Sequence, residues 1–457
     1  MAYIADTAMV RRASKKDATD NYAPSDAAAP QDSALIPITE IPLDQWQALA
    51  GRATEPNGYY LPEWELAVSA SAQGRTGASA LGAWREDRLI GLMPMISLWH
   101  ALKIPLPALV SAHPYGTLCA PPLDRGMAVD AVAQLMQQAR NAGAHALVLR
   151  DMSLEGAAMQ AFAEVSRQHG LRPRVLQSGL RACLDATRDA DQLLHDALGT
   201  KKLKELRRLR HRLAEHGAVQ FDVARSPQDV ASALETFLAL EASGWKGARG
   251  TALAQNDGDA RFIRRATTAL AASGQCEIVT LRAGETPVAA GIVLRHQDRA
   301  FFFKIGVDAR FAKFSPGVQL TLELTRHLCA DTAMASADST ASPDHPMINP
   351  IWRGRFAIGD VLIPLRSSDP VVSMIHAAIV ARNTAREQAR RAIRFIRQRS
   401  EIRVTASRPH FSGECGVGSM MVECISSSSA EPLPKNSCHA GSFMAAARAS
   451  ARAFKSL

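Results

Sequence analysis

The sequence predicts an α/β protein built on mixed sheets, in which one succession of elements is made twice. Strand-type and helix-type apolar patterns alternate between residues 35 and 367. The order hairpin, strand, helix, strand, helix or turn, strand recurs at an offset of about 200 residues. A chain of 457 residues has room for two or three such units. No stretch approaches the ~18 uncharged apolar residues of a membrane span.

Residues 1–34, rich in Ala, Asp and Ser, have no apolar period and are expected to form a disordered arm. A first unit is expected over 35–198. It opens with a hairpin, Ala80–Trp84 and Leu89–Met95 flanking Arg85–Arg88. A strand near Leu106–Val110 and a loop with His113, Pro114, Tyr115 and Gly116 follow. Then come a helix over about Met127–Ala142, a strand Ala146–Leu149, a helix Ala157–His169 and a strand near Leu180–Leu184. A linking helix is expected at 199–217, because Leu203, Leu206, Leu209 and Leu213 recur at three- and four-residue steps.

The second unit, 218–367, starts with a helix Pro227–Ala242, with Ser226 as N-cap and Pro227 at N1. Cys276–Leu281 and Val288–Arg295 form its hairpin around Arg282–Pro287. The strand Ala300–Gly306, the helix Val318–Ala330, the strand Ala335–Ser339 and a last strand near Val361–Leu365 complete it. A basic helix opening at Asp369-Pro370 is expected across 368–407. The Ser- and Gly-rich stretch 408–457 is expected to be disordered.

The formal charge of +9 is concentrated rather than spread. Residues 381–457 hold 13 Lys/Arg against 5 Asp/Glu, and residues 201–212 hold 7 against 1, so the remainder is mildly acidic. DNA binding is therefore not expected. The seven cysteines lack metal-ligand spacing and are expected to be reduced, and no metal site is predicted. With no apolar core behind Arg11–Lys16, the expected location is cytoplasmic.

Three segments concentrate chemistry. In Phe301–Cys329 a strand leads into a loop with Asp308, Arg310 and Lys313, and then into a helix opening at Ser315-Pro316-Gly317. The N–H groups of Gly317, Val318 and Gln319 at that N-terminus, with Lys313 and Arg310, form a candidate pyrophosphate site. In Asp338–Arg355 a polar loop leaves a strand end and carries Asp338, Asp344 and His345, the last a candidate general base. In Leu240–Thr251, Glu241, Trp245 and Lys246 are candidates for substrate contact. Strand alternation places Lys304 on the face of Phe302, either at the sheet edge or lining a cleft.

The pieces LEASGWKG at 240–247, FFFKIGVD at 301–308, FSPGVQL at 314–320 and DSTASPDHPMI at 338–348, after the Lys/Arg-rich helix, resemble the second domain of one acyltransferase family. This is the bacterial tandem-domain branch of the GNAT N-acyltransferase superfamily often labelled CelD-type, or cellulose-biosynthesis-associated. Tyr59–Trp64 and the Trp84–Pro94 hairpin resemble its first domain. The layout is also similar to Fem-type aminoacyl transferases. The resemblance implies two tandem GNAT-like acyltransferase domains, the first degenerate and the second catalytic. It also implies acetyl-CoA or another acyl-CoA as co-substrate and direct attack by an amine on a small molecule or glycan.

It further implies catalytic roles among His345, Asp344, Asp338 and Lys304, and cofactor contacts at Lys313, Ser315, Gly317, Val318, Gln319 and Arg310. Two features depart from the family. The Q/R-x-x-G-x-G/A phosphate signature is absent. All five tyrosines (3, 22, 59, 60 and 115) lie in the first half, so either Tyr115 reaches across as proton donor or water serves. The alternatives are a transferase taking aminoacyl-tRNA through 201–212 and a non-catalytic scaffold in polysaccharide assembly. Residues 382–403 are a candidate peripheral membrane contact.

Overall fold

In the computed structural model the described residues are 35–244, 247 and 249–406, with side chains described to residue 393. The arms expected at 1–34 and 408–457 fall outside them. Among the described residues the strands are β1 (Ile36–Pro37), β2 (Ser79–Arg85), β3 (Arg88–Ser97), β4 (Ala108–Ser111), β5 (Ala146–Ser153) and β6 (Arg174–Asp185). They continue as β7 (Val219–Ala224), β8 (Cys276–Ala283), β9 (Thr286–His296), β10 (Arg299–Val307), β11 (Ser336–Asp338) and β12 (Gly354–Pro364). The helices are α1 (Leu43–Gly51), α2 (Pro62–Ser71), α3 (Leu98–Leu102), α4 (Ala128–Asn141) and α5 (Ala157–Gln168). After them come α6 (Ala190–Ala214), α7 (Pro227–Ser243), α8 (Asp257–Ala272), α9 (Pro316–Ala330) and α10 (Pro370–Ala406).

The predicted hairpins form as β2–β3 and β8–β9. Each half also has one short parallel pair of three residues, β4 with β5 and β10 with β11. This repetition is the doubled succession read from the sequence. The two sheets are not separate, however: all strands join one twelve-stranded sheet, in the order β1-β2-β3-β4-β5-β12-β6-β11-β10-β9-β8-β7. The last strand of the second half, β12, inserts between β5 and β6. The far end of β6 in turn pairs Cys183–Asp185 with β11 of the second half. The exchange covers the edges that β5 and β11 would otherwise leave unpaired.

The halves also share a core. Trp64 of α2 meets Phe262 of α8 edge-on at 5.0 Å and Phe303 of β10 at 5.0 Å, while Tyr59 meets Phe301 at 5.7 Å. Edge-to-face pairs of this kind add about 0.5–1.5 kcal/mol each beyond area burial. Helix α2 escapes a periodicity reading because Trp64, Glu65, Ala67, Val68 and Ser69 are all buried, so no polar face breaks the pattern. The linking helix expected at 199–217 is the later part of α6, which runs on from Ala190 and ends at Ala214. Gly199, at φ 69° and ψ 165°, breaks α6 where that later part starts, and Leu206 and Leu213 are buried. No helix among the described residues is long and apolar enough to cross a membrane.

One buried carboxyl makes stability depend on pH. Glu55 lies by the α5 N-terminus, and burial pushes it up from 4.5 to about 7 against the pull of Arg299 and the Ala157 and Ala158 N–H groups. Between those values the unfolded chain has released the proton while the folded chain keeps it. Stability is therefore lost as pH rises through this window, by about 3 kcal/mol at most. Glu55→Gln should flatten that slope. Denaturant midpoints compared at pH 4.5 and 8 check it, and parallel wild-type and variant curves would count against it.

Candidate active site

The site is set by an irregularity in β10. Its pairing with β9 runs Phe302 to Val293 and then Lys304 to Ile292, so Phe303 is an extra, bulged residue. Phe303 and Lys304 therefore share a face, which corrects the expectation that Lys304 sides with Phe302. Phe302 joins the core on the opposite face, with Leu320 and Trp352. Two residues later Gly306 lets α7 press onto the strand: a Cβ there would meet the Glu241 backbone N at 2.9 Å and the Phe237 carbonyl at 3.1 Å.

That approach delivers Glu241, whose residue is 2% exposed. One carboxylate oxygen accepts the Leu253 N–H at 2.9 Å, and the other lies 3.5 Å from Lys304 Nζ. Tyr115 closes over them from the first half, its ring 5.7 Å from Lys304 Nζ. Its hydroxyl donates to Asp259 Oδ2 at 2.6 Å on α8, and its N–H donates to His113 Nδ1 at 3.1 Å. The Arg75 guanidinium lies over the same ring, 4.3 Å from its centroid. Burial, reinforced by the bond to Asp259, holds the Tyr115 phenol above its ordinary range. Burial, with Arg75 and Arg150 nearby, pushes His113 down to about 4, so its imidazole is neutral at pH 7.

Next to this cluster the sheet opens. The β10–β11 ladder ends at Phe301–Asp338, and among the described residues no strand pairs the β11-facing edge of β10 beyond it. Thr340 bridges the first step, its hydroxyl donating to the Phe302 carbonyl at 2.7 Å. Asp338 holds Thr340 in place: it accepts the Thr340 N–H at 2.9 Å and pairs with the buried Arg181. Arg181 also donates to the Thr117 carbonyl at 2.6 Å, tying in the Tyr115 loop. Both Asp338 oxygens are thus engaged, and its place is that of a positioning residue.

The edge runs on to the start of α9. Ser315, at φ 53°, makes no side-chain cap. Pro316 has no N–H, and the Gln319 N–H donates to Ser315 O at 3.0 Å. The N–H groups of Gly317 and Val318 alone remain for a ligand, which corrects the inclusion of Gln319; its side chain, too, is spent, on the Leu206 carbonyl at 2.8 Å. A Cβ at Gly317 would press on Met347, Val307 and Ile305 at 3.2–3.5 Å. Lys313 and Arg212 lie 4.8 and 5.9 Å from the Phe314 ring, beside this N-terminus. Arg310 is instead bound two-pronged to the buried Asp308 at 2.7–3.1 Å.

Of the other sequence candidates, Asp344 is exposed, and His345 Nδ1 accepts the Ile348 N–H at 3.4 Å, capping a turn. Trp245 and Lys246 lie outside the described residues. The structure thus gathers Glu241, Lys304 and Tyr115 in one cluster, and Lys313, Gly317 and Val318 in another. Sequence reading missed Asp259, Arg75 and Arg212 as partners. Asn256, whose side chain caps the Gly258 and Asp259 N–H groups ahead of the apolar repeat Phe262, Ile263, Ala266, Leu270, was the available signal for α8.

Comparison with solved structures places the fold. FemX is 11% identical, with 74% of this chain and 98% of that chain covered and a TM-score of 0.50. The C-terminal DUF2156 domain of a putative lysylphosphatidylglycerol synthetase from Agrobacterium fabrum is 14% identical, with coverage of 74% and 95% and a TM-score of 0.46. A tandem GNAT protein from the clavulanic acid biosynthesis pathway is 14% identical, with coverage of 73% and 99% and a TM-score of 0.38. The fold is similar to that of FemX over 74% of the chain. Residues 200–343 match the family model of the acetyltransferase (GNAT) domain, and an acyltransferase is the class of enzyme that domain defines. No curated protein matches the chain significantly.

Proposed function

We propose that the chain is an N-acyltransferase that moves an acyl group from acyl-CoA to an amine. The observation that supports this best is the convergence of Glu241, Lys304 and Tyr115 on an open strand edge that ends at a helix N-terminus with two uncommitted N–H groups. Those groups, with Lys313 and Arg212, fit a pyrophosphate. A cradle that a Cβ at Gly317 would fill fits the close approach of such a ligand. Acyl-CoA supplies an activated thioester. Glu241 takes the proton of the amine, and Tyr115, protonated at neutral pH, returns one to the leaving sulfur. The acceptor class we favour is an amine on a cell-envelope or exopolysaccharide precursor.

Calorimetric titration of CoA into the full chain should give saturable heat, weakened about tenfold or more when Lys313 and Arg212 both become Gln. No heat at millimolar CoA would remove the reading. Mass spectrometry of co-purifying CoA species would identify the acyl group.

Transfer from aminoacyl-tRNA is the second reading, favoured by the exposure of Lys201, Lys204, Arg207 and Arg208 on α6. It requires tRNA retention that falls steeply with salt and disappears when these four become Ala.

A further inference from the structure

A separate concentration of charge lies under α10. This helix rests on the sheet through Val372, Ile375 and Ile379, which are buried and spaced three and four residues apart. The same stripe continues as Arg382, Arg386 and Arg390. A face that begins aliphatic thus ends as guanidinium. There it meets Arg150 of β5 across a cavity of about 680 Å³ whose apolar lining includes Leu102, Val148, Leu176 and Ile379.

The carboxylates at this cavity form no ion pair with those arginines, although Arg150 acts at longer range on Asp360. Glu387 pairs with Arg391 at 3.1 Å. Asp360 accepts the Asp151 N–H at 2.9 Å and the Gln177 amide at 2.7 Å, and burial pushes both Asp360 and Asp151 above the usual carboxylate range against the pull of Arg150. Among the described residues Arg150, Arg382, Arg386 and Arg390 form no ion pair. Burial, with the Arg386 and Arg150 charges beside it, holds Arg382 below the ordinary arginine range. Like charges gathered without an ion-pair partner are an arrangement that an anion relieves.

We propose that this cavity binds a small organic diphosphate, its charged groups held by Arg150, Arg382, Arg386 and Arg390 and its organic part laid on Leu102, Val148 and Leu176. Guanidinium forks match phosphate oxygens two at a time. Among the described residues these four guanidiniums have no ion-pair partner, and of them only Arg150 acts on a carboxylate at longer range, which calls for more than one anionic group. The volume falls within the roughly 300–1,000 Å³ of small-molecule sites. The site shares no residue with the α9 N-terminus and does not depend on the acyl-CoA reading.

Inorganic pyrophosphate is the first probe, titrated calorimetrically into full-length protein carrying Arg212→Gln and Lys313→Gln, so that the α9 N-terminus is silenced. Saturable binding is expected, weakened about tenfold or more by adding Arg150→Gln and Arg382→Gln with an unchanged melting temperature. Absence of heat at millimolar pyrophosphate, or binding undiminished in that variant, overturns the proposal. Two further probes assign the source of the phosphate. Binding of a nucleoside diphosphate at least as tight as pyrophosphate points to a soluble ligand. Arginine-dependent sedimentation with phosphatidylcholine vesicles containing cardiolipin points to a lipid-borne one.

Discussion

Replacing Asp338 by alanine should lower the unfolding free energy by about 3–5 kcal/mol, because it strands a buried guanidinium. The Arg181 side chain is 2% exposed, and its Nε already has no partner. Among the described residues Asp338 is its one ion-pair partner. The loss spreads through hydrogen bonds as well: the Thr340 N–H loses its acceptor, and the loops holding Thr340 and Thr117 lose their common anchor. Removing both charges together, as Asp338→Leu with Arg181→Met, should restore most of the stability, since a buried pair replaced by apolar groups of similar size is often near neutral. Urea unfolding of the two single variants and the double completes the cycle. A single-variant loss below about 1 kcal/mol would show that water reaches Arg181 after all.

Tyr115→Phe and Glu241→Gln should each reduce kcat/KM by about 10²–10⁴-fold with acyl-CoA and a competent amine, the range for loss of a positioned proton donor or acceptor. Both changes keep shape. Tyr115→Phe removes one hydroxyl bonded to Asp259, while the ring contacts with Phe262 and Phe303 persist. Glu241→Gln keeps an oxygen for the Leu253 N–H, so the fold should lose only about 1 kcal/mol. The effect belongs in kcat rather than KM, and the limb of the pH–rate profile due to the missing group should vanish with it. A variant that raises KM alone would assign that residue to binding.

Much of this architecture is readable locally. Ser226-Pro227 and Asp369-Pro370 announce helices where α7 and α10 begin, and the Arg282–Pro287 turn announces the β8–β9 hairpin. The start of α9 was legible for the same reason: a proline at N1 followed by glycine is a short-range signal. What local pattern cannot carry is partner choice. Nothing in Gly354–Pro364 says that it pairs with β5 and β6, some 170–220 residues earlier, rather than with its own half. Nor does Phe301-Phe302-Phe303-Lys304 announce a bulge, because an apolar run reads alike with or without one extra residue. The cluster at Glu241 followed from both non-local facts, since the bulge turns Lys304 and the shared core brings Tyr115 over it. The individual candidates were visible, but their assembly was not.

The strand exchange has a consequence for the birth of the protein. A ribosome delivers β5 some two hundred residues before β12, and until Gly354–Pro364 emerges, the β5 edge waits without its native neighbour. The first half cannot finish its sheet during its own synthesis, although amino-terminal units commonly fold first. Completion is a late, long-range closure that welds both halves at once. Truncation between β11 and residue 354 therefore leaves two unfinished sheets rather than one intact module and one broken one.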